Sequence, residues 1–395
     1  MLEIILFLLL GILFGIIMGL IPGIHPNMII LAVPFLVSLN IHFVDLLVFI
    51  VAMGVTNSIV DFIPSILLGA PEGGNELSVL PGHKMLMDGH GYDAVKLAVI
   101  GAIGSAFVFL LALPVLVFSL SSLYIFIKPF IYLLLLFIVL LMMLTENGKN
   151  KIVAVFVFVF SGALGMVMGK IPVDETLILF PVFSGFFGIS LLLIQLKQKT
   201  RLPKQKESKD FVSRKTINRS VISGTLGGVV SGFLPGVGSS EIATLATVDK
   251  NDKSFLITLG ALTTANTILS IMALWLIGRS RSGLAVAVSQ IGEIGFSEII
   301  LIIGVFTVSV GLASIVTLKL TKIFLEFAQK IDYSLIGKFV IIFIMVMTFI
   351  FTGIIGIIIL ATCTAMGVFV NLVGIKRGNL MGVLILPTIL FYAGF

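Results

Sequence analysis

The chain has 395 residues, 58% of them hydrophobic and 11% charged, with a mean hydropathy of +1.23. An average soluble domain is about 25% charged, so soluble domains are excluded and a multi-pass α-helical protein of the cell membrane is expected. The net charge of +6 is not gathered on a polar domain, which excludes a nucleic-acid partner.

Met1-Leu2-Glu3 opens the chain without a basic region or a small-residue cleavage site, and reads as mature sequence. Residues 4–40 are apolar but broken at Ile21-Pro22-Gly23-Ile24-His25-Pro26-Asn27. Full membrane spans are expected near 43–69, 96–119, 122–145, 151–169 and 176–196. The segment 197–219 is rich in Lys and Arg, so the positive-inside rule makes it cytoplasmic. Residues 221–248 are broken at Leu234-Pro235-Gly236-Val237-Gly238-Ser239-Ser240. The apolar arm before this break, about 14 residues or roughly 21 Å of helix, is shorter than a hydrocarbon core of roughly 30 Å. A re-entrant helical hairpin is therefore expected here, and by analogy at 4–40. Further spans follow near 254–277, 296–317, 337–354, 355–373 and 379–395. Counting crossings puts Lys319, Lys322, Lys330, Lys376 and Arg377 inside, and Arg279 and Arg281 outside, against the rule. The lone Cys363 lies in an apolar run and has no intrachain disulfide partner.

Displacing the sequence by 213 positions lays Gly11, Leu13, Gly15, Gly19, Pro22 and Gly23 on Gly224, Leu226, Gly228, Gly232, Pro235 and Gly236. A displacement of 209 lays Asn57 and Gly69 on Asn266 and Gly278. The chain thus reads as two transmembrane repeats, 1–196 and 220–395, joined by the basic linker 197–219. Each repeat is one hairpin plus about five spans. An odd number of crossings inverts the second, a transporter design in which substrate sits at the broken helices and one repeat moves relative to the other.

Each break removes backbone hydrogen bonds at Pro22 or Pro235 and relaxes the chain at Gly23 or Gly236. The helix that restarts presents free N–H groups and partial positive charge to the tip. Two facing tips, with Ile24, Pro26, Val237 and Gly238 completing the turns, make a candidate anion site. Asn27, Ser239 and Ser240 suit N-caps or substrate contacts. His25 reads either as a proton or substrate group or as a structural residue. Glu241 reads either as a coupling-ion ligand or as a first-turn acid complementing the dipole. Asp61 shares a helix face with Asn57 and Ser65. An ionisable group in an apolar span is a candidate proton or cation ligand, with a structural network as the alternative. Asn266, flanked by Thr263, Thr264 and Thr267, suits substrate hydrogen bonds or helix packing equally. Arg279 and Arg281 can attract an anion at the entrance or simply face water. The equivalent loop in the first repeat, Gly69–Glu76, is acidic. The histidines of 81–92 lack metal spacing, and no metal, cofactor or catalytic pair is expected.

The segments GLIPGIHPN (19–27), SILLGAPEGGNELSVLPGHKMLMDGHGYDAVKLA (65–98) and GFLPGVGSSEIA (232–243) resemble the large membrane subunit of tripartite tricarboxylate transporters, the TctA family, in its compact archaeal branch. The resemblance spans most of the chain. His25 departs from the small residue usual after the first Pro-Gly, and the chain is shorter than typical bacterial members. The resemblance implies secondary transport of a small organic anion, a di- or tricarboxylate, driven by a proton or cation gradient. It also implies a small membrane subunit and an extracellular binding protein as partners. Membrane lipids and a second copy of the chain are further candidate partners. The tips are more faintly similar to a family of polyprenyl-phosphate transporters, which makes a lipid phosphate the alternative cargo.

Overall fold

The structure, a computed structural model, describes all residues except 1, 22–28, 69–78, 145, 147, 149, 174, 197–201, 208–211, 234–238, 250, 279, 281, 329–332 and 395. Helices α1 (Leu2–Leu20) and α2 (Ile29–Ser38) flank the first Pro-Gly break. Then come α3 (Phe43–Val60), α4 (Phe62–Leu67), α5 (Val79–Met87), α6 (Gly91–Ile127), α7 (Ile131–Leu144), α8 (Asn150–Met168), α9 (Glu175–Phe183) and α10 (Ser190–Leu196). The second half contains α11 (Arg214–Phe233), α12 (Ser239–Ala246), α13 (Asp252–Ile277), α14 (Gly283–Ile291), α15 (Phe296–Ala328), α16 (Tyr333–Val373) and α17 (Gly382–Ala393). Among the described residues there is no strand, and eight helical stretches are long and apolar enough to cross a membrane. The protein is an all-α, multi-pass membrane protein.

Two boundaries differ from those expected. The spans 96–119 and 122–145 divide later than expected and without a loop: α6 runs through Pro114 to Ile127 and passes by the 3₁₀ turn Lys128–Phe130 into α7. The spans 337–354 and 355–373 lie within α16 as two helices that meet at a kink at Gly353, one residue from the expected boundary. Its φ of 61° and ψ of −153° are conformations that glycine reaches without a side-chain clash. Helix α11 begins at Arg214, several residues before its apolar run, so the arm before the second break is 20 residues long. The arms after the breaks remain short. At 10 and 8 residues they reach only about 15 and 12 Å.

In lipid there is no hydrophobic drive pressing one helix on another, and small residues that let backbones approach supply the contact. Gly11, Gly15 and Gly19, four apart, form such a stripe on α1. A Cβ at Gly11 would stand 2.5 Å from the Phe49 oxygen and 2.8 Å from the Ala52 Cβ. At Gly15 it would stand 2.5 Å from the Met53 oxygen and 2.7 Å from the Thr56 Cβ, and at Gly19 2.8 Å from the Val60 Cβ. Helix α11 repeats the stripe against α13. Gly224 meets the Thr258 oxygen and the Ala261 Cβ, Gly228 the Leu262 oxygen and the Ala265 Cβ, and Gly232 the Leu269 Cβ. Adding 213 to each glycine and 209 to each partner turns the first set of contacts into the second. One interface is built twice.

The heavier helix pairings fall into two bundles. The first contains α1–α6 with α11–α15. Here α3 packs on α1 and α15, and α13 packs on α11 and α6. Backbone contact is closest where Gly101 of α6 meets the Ile257 oxygen and Gly260 of α13 meets the Ala98 oxygen. In the second bundle α16 packs on α9, α10 and the intervening π-helical stretch 184–189, while α17 packs on α7 and α8. The boundary between bundles is thin. Leu68, at the end of α4, touches it through the cluster Phe180, Ile189, Leu192, Val340, Ile344 and Leu360.

The polar ends gather by face. The linker segment 202–207 lies on the α5–α6 turn. The Gly91 N–H donates to Gln205 Oε1 (2.9 Å), Gln205 Nε2 to the Leu86 oxygen (3.0 Å), and the Lys206 N–H to the Gly89 oxygen (2.7 Å). Glu207 pairs with Lys322 near the end of α15 at 2.7 Å, and Lys84 of α5 with Asp252 at the start of α13 at 2.9 Å. The start of α3 stands elsewhere, Phe43 lying against Gly292 beyond α14.

Gly15→Leu and Gly228→Leu should each cost about 1–3 kcal/mol or more by overpacking. Gly304→Leu, where nothing lies within 4 Å, should stay within about 0.5 kcal/mol. Melting temperatures of the detergent-purified protein test this. Equal losses at all three positions would show that the stripes carry no packing.

Candidate functional site

Helix α3 with α4 is the most enclosed rod in the described structure. Every residue of its Asp45–Leu67 stretch is buried, although the span is apolar enough to face lipid. A spanning helix with no lipid face is surrounded by protein on every side, and polar groups on it meet only protein or a ligand. Thr56 and Asn57 lie just past half-way along it. Asn57 is 1% exposed, and its Nδ2 has no acceptor among the described residues; nor has the Thr56 hydroxyl a partner. On α13 the hydroxyls of Thr258 and Thr264 are likewise buried and unpartnered. Among the described residues, buried hydroxyls without a protein partner also occur at Ser309, Thr317 and Thr348 on α15 and α16, so what singles out this group is its place on the two glycine-gripped helices. Asn57 and Asn266 take equivalent places, their backbone nitrogens 3.2 Å from where a Cβ on Gly15 and on Gly228 would stand.

Asp61 lies where α3 gives way to α4. Its N–H donates to the Asn57 oxygen at 2.9 Å, and its own carbonyl accepts from the Ser65 N–H at 3.1 Å, so the rod stays helical through the junction. The Ser65 hydroxyl donates to Asp61 Oδ1 at 3.2 Å, and the carboxylate is buried. The offset of 209 that relates Asn57 to Asn266 lays Asp61 on Ser270. Ser270 donates to the Thr267 oxygen (2.8 Å) and accepts from the Ser282 hydroxyl (2.9 Å), which also caps α14. One half therefore carries a buried acid where the other carries a pair of hydroxyls.

Of the tip residues, Ser239 opens α12 and is buried, beside α13 and α11. The side chains of Ser240 and Glu241, the tips Pro22–Asn27 and Pro235–Gly238, the loop 69–78, and Arg279 and Arg281 lie outside the described residues. Thr56, Thr258, Ser270 and Ser282 were not legible as site residues. A threonine or serine in an apolar helix has the same sequence signature whether it packs or binds, and only burial without a partner separates the cases.

A family model described as the tripartite tricarboxylate transporter TctA family matches residues 5–382. The chain belongs to the TctA family. As a TctA protein it is a transporter component of the cell membrane and not an enzyme. The match takes in both glycine stripes, both Pro-Gly breaks and Asp61, leaving outside only the first four residues and 383–395, which hold all of α17 but Gly382. A curated relative, the uncharacterized protein MJ1079 of Methanocaldococcus jannaschii, is 29% identical over 381 residues, covering 93% of this chain and 94% of its own. No solved structure matches.

Thr56→Val and Thr264→Val replace a buried, unpartnered hydroxyl by a methyl group of the same shape. Both should leave the melting temperature of the purified protein unchanged or raise it. A loss above about 1 kcal/mol in either would mean that the hydroxyl is paired within the fold, since that is the worth of an ordinary hydrogen bond.

Proposed function

We propose that this TctA protein moves a small organic anion, a di- or tricarboxylate, across the cell membrane, coupled to a proton or cation gradient. The observation that carries the proposal is the doubled helix pair. Each copy is a glycine-striped helix ending at a Pro-Gly break, gripped by a buried helix with unpartnered polar atoms. In this reading the two tips present helix N-termini to the carboxylates. Asn57, Thr56, Thr264 and Asn266 complete the cradle between them. Arg279 and Arg281 attract the anion at the entrance. Asp61 holds the coupling ion, with Glu241 as a second candidate. The polyprenyl-phosphate alternative is not favoured by the family match.

The reading treats residues 1–196 and 220–395 as inverted repeats. The pairing of helix ends supports it. The start of α6, at Gly91 and Tyr92, lies beside Lys322 near the end of α15, where the Lys322 ammonium stands 4.6 Å from the Tyr92 ring centre. The corresponding helices α6 and α15 thus run in opposite senses. The same packing bears on the moving unit. Backbone contact at Gly101 and Gly260 interlocks the two halves, so motion of one half against the other would break the tightest seam. We take the first bundle, carrying both tips, to move against the second across their thin boundary, with alternating access as the result. The word tripartite in the family description agrees with a small membrane subunit and an extracellular binding protein as partners.

In proteoliposomes, Asn27→Leu, Asn57→Leu and Ser240→Leu should abolish uptake and carboxylate-induced thermal stabilisation without unfolding the protein. Asp61→Asn should keep stabilisation by the carboxylate but lose accumulation driven by an imposed proton or sodium gradient. Undiminished uptake in the three tip-site variants would defeat the site, and gradient-driven accumulation surviving in Asp61→Asn would remove that residue from coupling.

A further inference from the structure

Counting crossings places Arg377 on the cytoplasmic side, where a cation ordinarily meets water. It is instead 2% exposed, in the 3₁₀ turn Arg377–Met381 that leads into α17. Its Nε donates to Asn371 Oδ1 at 2.7 Å. Its Nη1 is sealed from solvent without an acceptor, and no carboxylate lies within 4.0 Å of it among the described residues. The neighbouring acid, Glu146, is otherwise engaged. Its Oε1 accepts from the Lys376 N–H and from Asn379 Nδ2, both at 2.9 Å, closing the N-terminus of the turn. Asn379 Nδ2 also donates to the Lys376 oxygen at 2.9 Å, which fixes the amide and leaves its Oδ1 buried without a donor.

The guanidinium stands at the seam between the bundles. Across it is His83 of α5, whose Nδ1 lies 3.4 Å from the Ile66 oxygen at the end of α4. Burial, and with it the nearby Arg377 charge, hold the His83 imidazole below its ordinary protonation range, although the Ile66 carbonyl acts the other way. His83 is therefore no counter-charge. Burying a guanidinium without an anion is strongly unfavourable, and such groups are ordinarily paired. Ile66 is five residues along α4 from Asp61, about 7.5 Å of axial rise. Arg377 thus lies one helix beyond the Asp61 site, at the boundary that opens if the bundles part.

We propose that Arg377 is the core of a second anion site, at the seam between α5 and the 376–381 turn, which takes a small soluble oxyanion such as a carboxylate or sulfate when the seam opens. The planar guanidinium offers parallel N–H donors to such a group. The site is separate from the tips and does not depend on their reading.

The full chain, purified in detergent, is heated in sodium sulfate or sodium citrate and in sodium chloride of equal ionic strength. Sulfate or citrate raises the wild-type melting temperature above the chloride control, increasingly with concentration. Arg377→Met loses that increment while its anion-free melting temperature holds or rises, because an unpaired buried charge is gone. Arg377→Lys, which keeps the charge and the fold, retains a reduced increment. Asn57→Leu, at the tip site, retains it in sulfate. An increment unchanged in Arg377→Met, absent from wild type in both anions, or lost in sulfate through Asn57→Leu would overturn the proposal. Failure of the tip reading appears separately, as undiminished uptake in Asn57→Leu.

Discussion

Helix backbones in lipid must be brought together by shape, because hydrocarbon outside is as good a solvent for leucine as the protein interior. The fold rests on that constraint at α1 against α3 and α11 against α13. Glycine at every fourth position removes the side chains that would hold these pairs apart, and the partner helix presents carbonyl oxygens and small groups in register. Because α3 is enclosed this closely, a polar group on it cannot reach lipid headgroups or water by bending away. The unpartnered Asn57 and Thr56 are consequences of the same packing that fixes the helix.

The doubled glycine stripe was legible in the sequence because a residue type with a period leaves a pattern there. Glycines four apart, followed by Pro-Gly, survive in both halves, and the two displacements they define also relate their contacting atoms. Asp61 was legible because an acid in an apolar span stands out. What could not be read were properties set by distant packing. The positive-inside rule sees Arg377 as a cation near a helix end, yet the helix that packs most on its turn is α8, far away in the chain. The run of α6 past residues 120–121 to Ile127 was hidden for a similar reason, since a gap between spans was expected there and the helix continues.

The two halves are not equal. The first has an acid at Asp61 and the second has hydroxyls at Ser270 and Ser282. Where α6 meets α13, Gly101 and Gly260 let the backbones touch. The corresponding position to Gly260 in α3 is Val51, and Gly304 and Gly311 of α15 have open space beside them. A perfectly symmetric protein would present two identical ion sites to its two faces. With Asp61 on α3 and Ser270 at the equivalent place on α13, that one position carries a titratable group in the first half alone.

The strap 202–207 also has a mechanical consequence. It is fastened by Gln205, Lys206 and Glu207 to the first bundle, while α10, which ends at Leu196, belongs to the second. At this corner residues 197–201 connect them, and the six steps from Leu196 to Leu202 can extend no further than about 20 Å. That short leash caps the excursion of one bundle past the other at this corner. It does so on the scale of a bilayer's half-thickness or a little more, and any larger stroke would first have to peel the strap away.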